Sequence, residues 1–196
     1  MDRRRWKVKS AAGNVKISHK WTISITIWAF ILSVGISVLT SEAEHVALPL
    51  ALVMLFAIIL LGILFDVLGV AVSTASETPF NAMAAKKIPG ARESIEIVRH
   101  AQQISSFCND VIGDIAGIIS GAMTAAIVMS IVSTASWNST VVSLVLTGLV
   151  AALMIGGKAA GKGLAMLHNN TIVFVLGKMF FYLKYIFPNR KNKSKN

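Results

Sequence analysis

Four long apolar runs, parted by clusters of basic residues, leave this chain few ways to fold other than as helices in a bilayer. Residues 21–41, 46–75, 105–134 and 139–156 each reach the roughly 17–25 residues that cross a hydrocarbon core. Inside lipid every backbone polar group must be satisfied within its own segment or a closed barrel. Runs this long, without polar alternation, are helical. The composition agrees, with 55% hydrophobic residues and a mean hydropathy of +0.68, above the range of soluble domains. The sequence therefore predicts an all-α polytopic membrane protein: four transmembrane helices plus a cytoplasmic-side juxtamembrane amphipathic helix. Residues 1–20 form a basic N-terminus and 21–41 an N-terminal transmembrane helix. Residues 46–188 form the membrane core, with spans at about 46–75, 105–134 and 139–156 and an interfacial helix at 170–187. Residues 189–196 are a basic tail. Pro89-Gly90 divides the polar 76–104 stretch into two helix-friendly parts.

The 19 Lys and Arg residues give a net charge of +10. Nucleic acid attracts such a charge, but here it alternates with apolar spans and reads as topology. The basic residues fall within 3–20, 86–99, 158–162 and 178–195, and none lies in the connections Glu42–His45 or Ala135–Asn138. Because Lys and Arg stay inside during insertion, both termini are expected in the cytoplasm of a multi-pass cell-membrane protein. The bilayer is thus an expected partner and nucleic acid is not. A signal peptide cleaved near Ser41-Glu42-Ala43 is the alternative reading of the first run; an anchor that stays is preferred. The single Cys108 permits no intrachain disulfide.

Three acids interrupt these runs: Asp66 in the second, and Asp110 and Asp114 in the third. A carboxylate at mid-bilayer costs roughly 2.5–3.5 kcal/mol on insertion scales, and a cation is the usual compensation. Asp110 and Asp114 share a helix face, as do Asp66, Val70, Ser73 and Glu77. Mg²⁺ accepts one or two carboxylates and keeps several waters. Neutral oxygens stand nearby on Thr74, Ser76, Ser105, Ser106 and Asn109. The expected metal ligands are Asp110, Asp114, Asp66, Asn109, Thr74 and Ser73. An all-oxygen set argues against Zn²⁺ or Cu⁺. Each acid also has an ordinary alternative, Asp66 as an interfacial residue and Glu77 as a helix cap. Gly113, Gly117 and Gly121 form a small-residue ridge suited to close helix packing. The glycines of 156–163 suggest a break, and a hinge, where the fourth span exits. His45, His100 and His168 lack metal-ligand spacing, and Cys108 suits packing. No nucleophile–base pair, phosphate loop or HExxH is present, so the chain is not read as an enzyme.

The segment Ser73-Thr74-Ala75-Ser76-Glu77-Thr78 resembles the Ser-Ala-Ser-Glu-Thr type motif of the CNNM/CorB–CorC transmembrane domain. Ile112-Gly113-Asp114 stands where that family has Ile-Gly-Asn. Ile155-Gly156-Gly157-Lys158-Ala159-Ala160-Gly161-Lys162 stands where it has Phe-Gly-Glu-x-x-Pro-Lys. An amphipathic helix ending in a proline then follows, similar to 170–188. The resemblance covers roughly residues 46–188. It implies a homodimer that transports Mg²⁺, with Na⁺ as a coupling ion, and an ion site between three spans. Asp114 would stand at the position of a site Asn. The chain departs from the pattern where Gly157 replaces a Glu ligand and Val70 a hydroxyl. No paired CBS module follows within these residues, so nucleotide-regulated gating is not implied. The expectations are a divalent-cation transporter or exporter of the CorB-like type, or a non-transporting membrane scaffold or regulatory protein that retains the fold with a structural cation or none. A proton- or Na⁺-coupled carrier for another solute is a weaker third.

Overall fold

A computed structural model describes residues 19–41, 47–135 and 138–186. The basic N-terminus up to residue 18, the Glu42–His45 connection, residues 136–137 of the next connection and the basic tail lie outside the described residues. Every described element is a helix: α1 (His19–Ser41), α2 (Leu48–Thr74), α3 (Glu77–Ala85), α4 (Ala91–Arg99), α5 (Ala101–Ser106), a π-helical segment (Phe107–Ile112), α6 (Gly113–Ala135), α7 (Ser139–Leu167) and α8 (Asn169–Ile186). Among the described residues three helices are long and apolar enough to cross a membrane: Leu48–Thr74, Ala101–Ala135 and Ser139–Leu167. The second of these runs without interruption through α5, the π segment and α6. Within α1 the apolar stretch is shorter, Thr22–Gly35.

The elements begin and end where local chemistry requires. Pro49 occupies the first turn of α2, where its missing N–H costs nothing. The Ser76 hydroxyl accepts the Thr78 N–H at 3.3 Å and caps α3. Asn138 Oδ1 accepts the N–H groups of Thr140 and Val141 at 3.0 and 3.3 Å, opening α7. Pro89-Gly90 separates α3 from α4 as the sequence predicts. Gly90 has φ +88°, and a Cβ there would lie 2.8 Å from the Lys178 backbone of α8. Glycine is therefore required twice over.

Two apolar cores organise the molecule. In the first, Ala51, Leu55 and Ile59 of α2 pack with Ile115, Ile119, Met123 and Ile127 of α6 and Val150 of α7. Ile25, Ala29 and Leu32 of α1 pack against this core from the side. Gly62 brings α2 onto α6, since a Cβ there would lie 2.8 Å from Ala116 Cβ. The buried hydroxyls of Ser120 and Thr124 donate to the carbonyls of Ala116 and Ser120 at 2.7 and 2.6 Å, so the span carries no orphaned hydroxyl there. The second core lies at the polar end, where Val72, Phe80, Ile97 and Val173 meet. It fastens α3, α4 and α8 as a layer across the end of α2. Ser94, fully buried, donates to Gly90 O and Val173 O at this crossing.

The expected break at 157–163 is absent. Helix α7 runs unbroken to Leu167, with Gly156, Gly157, Gly161 and Gly163 all inside it. A Cβ at Gly157 would collide with Ile63, and one at Gly161 with Val67, both on α2. Gly157 and Gly161 thus serve close packing, and tertiary contact offsets their poor helix propensity, whereas a Cβ at Gly156 or Gly163 would meet nothing within 4 Å. The ridge on the third run is looser. A Cβ at Gly117 would meet Met154 at an ordinary 3.8 Å, and one at Gly121 would meet nothing within 4 Å.

Candidate functional site

Helix α2 is apolar all round, so its own pattern does not choose which face turns inward. The structure buries Gly62, Asp66, Gly69 and Val72. Asp66 is 4% exposed, among the few buried charged or polar side chains described. Its Oδ2 has no hydrogen-bond partner. The counter-charge is Lys162 Nζ of α7, at 3.5 Å. The ammonium side of this pair is open, since the Lys162 side chain is 48% exposed against 6% for that of Asp66.

One turn after Asp66, Gly69 leaves room for Asn109. A Cβ at Gly69 would collide with the Asn109 amide. Asn109 lies in the π segment, where the Gly113 N–H donates to Cys108 O, five residues back. A π turn inserts an extra residue and turns side chains relative to an α-helical course, and such turns recur at functional sites. Here the result is a second orphan: Asn109 Oδ1 is buried and without a partner. Two buried oxygens without a hydrogen bond, one on α2 and one on the π segment packed at Gly69, therefore lie about one turn apart along a single face of α2. Unpaired buried polar groups cost about 1–3 kcal/mol each, and native structures retain few of them.

Helix α7 closes the site with two lysines one turn apart. Lys158 Nζ donates to Gly113 O at 3.5 Å, at the junction of the π segment with α6. Lys162 reaches Asp66. The near approach of Gly157 and Gly161 to Ile63 and Val67 brings both lysines within range. The i, i+4 spacing of Lys158 and Lys162, set among small residues, was the available signal in the sequence.

The other expected ligands stand elsewhere. Ser73 is exposed, and its Oγ donates to Val70 O at 3.0 Å. Thr74 Oγ1 donates to the same carbonyl at 2.8 Å. Asn169 Nδ2 donates to Thr74 O at 2.8 Å, and Asn170 Oδ1 accepts the Ser76 N–H at 3.2 Å. Thr74 thus belongs to a tie between the end of α2 and the start of α8. Glu77 pairs with Arg99 at 3.4 Å, a half-open surface contact. Asp110 and Asp114 are both exposed on the outer side of the π segment and α6. Among the described residues no three His, Cys, Asp or Glu side chains converge in a group that could hold a metal ion. Asp66 and Asn109 are the two expected ligands that the structure brings together; Asp110, Asp114, Ser73 and Thr74 do not share their buried face.

Comparison with family models, with characterised proteins and with solved structures finds no match to this chain.

Proposed function

We propose that the chain is a multi-pass membrane protein that binds a hard cation between α2, the π segment and α7, and that it is a Mg²⁺ transporter or exporter of the CorB-like type. The observation that carries this reading is the pair of buried oxygens on Asp66 and Asn109 that accept no hydrogen bond among the described residues, the first of them met only by the long Lys162 ion pair. A carboxylate and an amide oxygen are donors that a hard cation accepts, with water filling the rest of its shell. A buried ionisable residue within an apolar spanning helix is by default a candidate for an ion or substrate site. The resemblance at 73–78 and 112–114 adds the family, a homodimeric state and Na⁺ as the coupling ion. In this reading α1 is a fourth span and both termini are cytoplasmic, as the basic clusters at 86–99 and 178–195 require. The ion shell is rebuilt relative to that family, with Asp66 and Asn109 in place of the ligand lost at Gly157.

A second reading rests on the Asp66–Lys162 pair itself. If that pair closes the site permanently, the chain is a membrane scaffold or regulatory subunit without transport. The two readings separate in one series. Purified protein in detergent is titrated with Mg²⁺ while thermal unfolding is followed, for wild type, Asp66→Asn, Asn109→Ala and Asp110→Asn/Asp114→Asn. A ligand that binds only the folded state stabilises it by about 1.4 kcal/mol at ten times Kd. Wild type and the 110/114 variant are expected to show that rise, and Asp66→Asn to lose it. No response up to several millimolar Mg²⁺, in wild type and in Lys162→Gln alike, sinks the cation reading. Mg²⁺ flux into liposomes then distinguishes transporter from scaffold.

A further inference from the structure

We propose that Lys162 is a tethered counter-cation, which holds the Asp66 site while no metal ion is bound and is expelled when one binds. The inference rests on the cation reading above and adds the manner of exchange.

The argument begins with charge. Asp66 is buried, and its one resolved counter-charge is Lys162. A buried carboxylate needs an opposite charge at all times, because an unpaired one is strongly disfavoured. With Lys162 in place the pair is neutral. A divalent ion entering beside it would set three positive charges against one negative. The ion and the ammonium therefore exclude one another.

Geometry makes the exclusion workable. The Asp66–Lys162 contact is long, at 3.5 Å, and satisfies no hydrogen bond to Oδ2. The ammonium is held by charge more than by directed bonding. Its side chain is about half exposed on a flexible four-carbon stem, so it can swing to solvent while its helix stays fixed. The helix is indeed fixed, since Gly161 is packed on Val67. Lys158, the other cation at the site, plays a different part. It donates to Gly113 O and so secures the junction that carries Asn109. When Lys162 leaves, Asp66 Oδ2 and Asn109 Oδ1 remain as the donors on the α2 face.

A site occupied by its own lysine 90–99% of the time binds an outside ion roughly 10–100-fold more weakly than the vacant site. Two measurements test this. In wild type, Lys162 is labelled with an amine-reactive acyl ester, with and without MgCl₂ at matched ionic strength, and exposed Lys184 serves as the reference. Labelling of Lys162 is expected to rise several-fold with Mg²⁺ while that of Lys184 stays level. In parallel, Mg²⁺ stabilisation is measured for Lys162→Gln, Lys162→Arg and Lys162→Gln/Asp66→Asn. Lys162→Gln is expected to bind roughly 10–100-fold more tightly, Lys162→Arg no more tightly than wild type, and the double variant not at all. If Mg²⁺ stabilises wild type and Lys162 labelling does not change, the lysine proposal is overturned and the cation reading stands. If wild type shows no response, a response of Lys162→Gln that Asp66→Asn removes supports both. Where neither responds, or Lys162→Gln fails to fold beside an unresponsive wild type, both fall.

Discussion

Gly69→Ala tests whether the Asn109 amide sits against α2 as described, and whether the site depends on that contact. A Cβ at Gly69 would collide with Asn109 Oδ1 and lie 2.7 Å from its Cγ. The amide must therefore move as a whole, and the π segment that carries it is bounded by buried Cys108 and Val111. Overpacking of this kind costs about 1–3 kcal/mol. Asn109→Ala removes the obstacle. On its own it also removes an unsatisfied buried oxygen, which offsets the lost packing, so its effect should stay within about 1 kcal/mol. In Gly69→Ala/Asn109→Ala the collision is gone, and the pair should couple by about 1–2 kcal/mol. For a chain of this length 1 kcal/mol moves Tm by roughly 2–4 °C. Gly69→Ala should then melt several degrees below wild type in detergent, and the double variant should recover most of the loss. Mg²⁺ stabilisation should disappear in all three variants, because each displaces or deletes the amide. Additive single effects would show that Asn109 does not rest on Gly69 and would refute the geometry of the site.

Two further substitutions probe the polar end that holds the site in place. Phe80→Ala empties the centre of the α3–α4–α8 layer, where Phe80 is fully buried. It should cost about 3–5 kcal/mol, with hydrogen exchange accelerating first in α3, α4 and α8. Gly90→Ala forces a side chain into φ +88° and into contact with the Lys178 backbone. A loss of about 1–2 kcal/mol is expected from the backbone conformation alone, read from the melting temperature, with the clash adding to it.

The helices and their ends were legible because their signals are local. Hydropathy places α2, the Ala101–Ala135 helix and α7, and Pro89-Gly90 marks the turn between α3 and α4. The buried face of α2 was not legible. Its residues are apolar nearly all round, and the sequence sets Asp66, Val70, Ser73 and Glu77 on one face, whereas Ser73 is exposed, Glu77 opens α3, and Gly62 and Gly69 flank Asp66 on the buried face. Small residues three and four positions either side of an acid were the better guide, since they mark where another helix comes close. The π turn was hidden for a different reason. Nothing in Phe107–Ile112 excludes an α-helix, and the turn depends on what Asn109 and Val111 pack against. Lys158 and Lys162 were legible as topology but not as partners of the site. Reach across to α2 depends on the Gly157 and Gly161 contacts, which a charge count does not contain.

The depth of these groups bears on why the exposed acids are tolerated. From Leu48 to Asp66 is about 27 Å at 1.5 Å per residue, from Ala135 back to Gly113 about 33 Å, and from Ser139 to Lys158 about 29 Å. Helices α2 and α7 start, and α6 finishes, at the same end of the bundle, so the site lies about one hydrocarbon thickness from it. In the membrane reading this is the boundary with the headgroups, where water reaches Lys162 and the exposed side chains of Asp110 and Asp114. Ile118, 64% exposed and one turn further into the span than Asp114, lies on the lipid side of that boundary. Asp114→Asn should change stability by less than about 0.5 kcal/mol, as substitutions away from packed or paired groups do. Ile118→Asp should cost a part of the roughly 2.5–3.5 kcal/mol that a carboxylate costs at mid-bilayer, visible as loss of membrane-integrated protein in an insertion assay. Equal tolerance of aspartate at 114 and 118 would mean that this face meets water or protein throughout. The boundary would then lie elsewhere, and the exposed acids would need a partner to cover them.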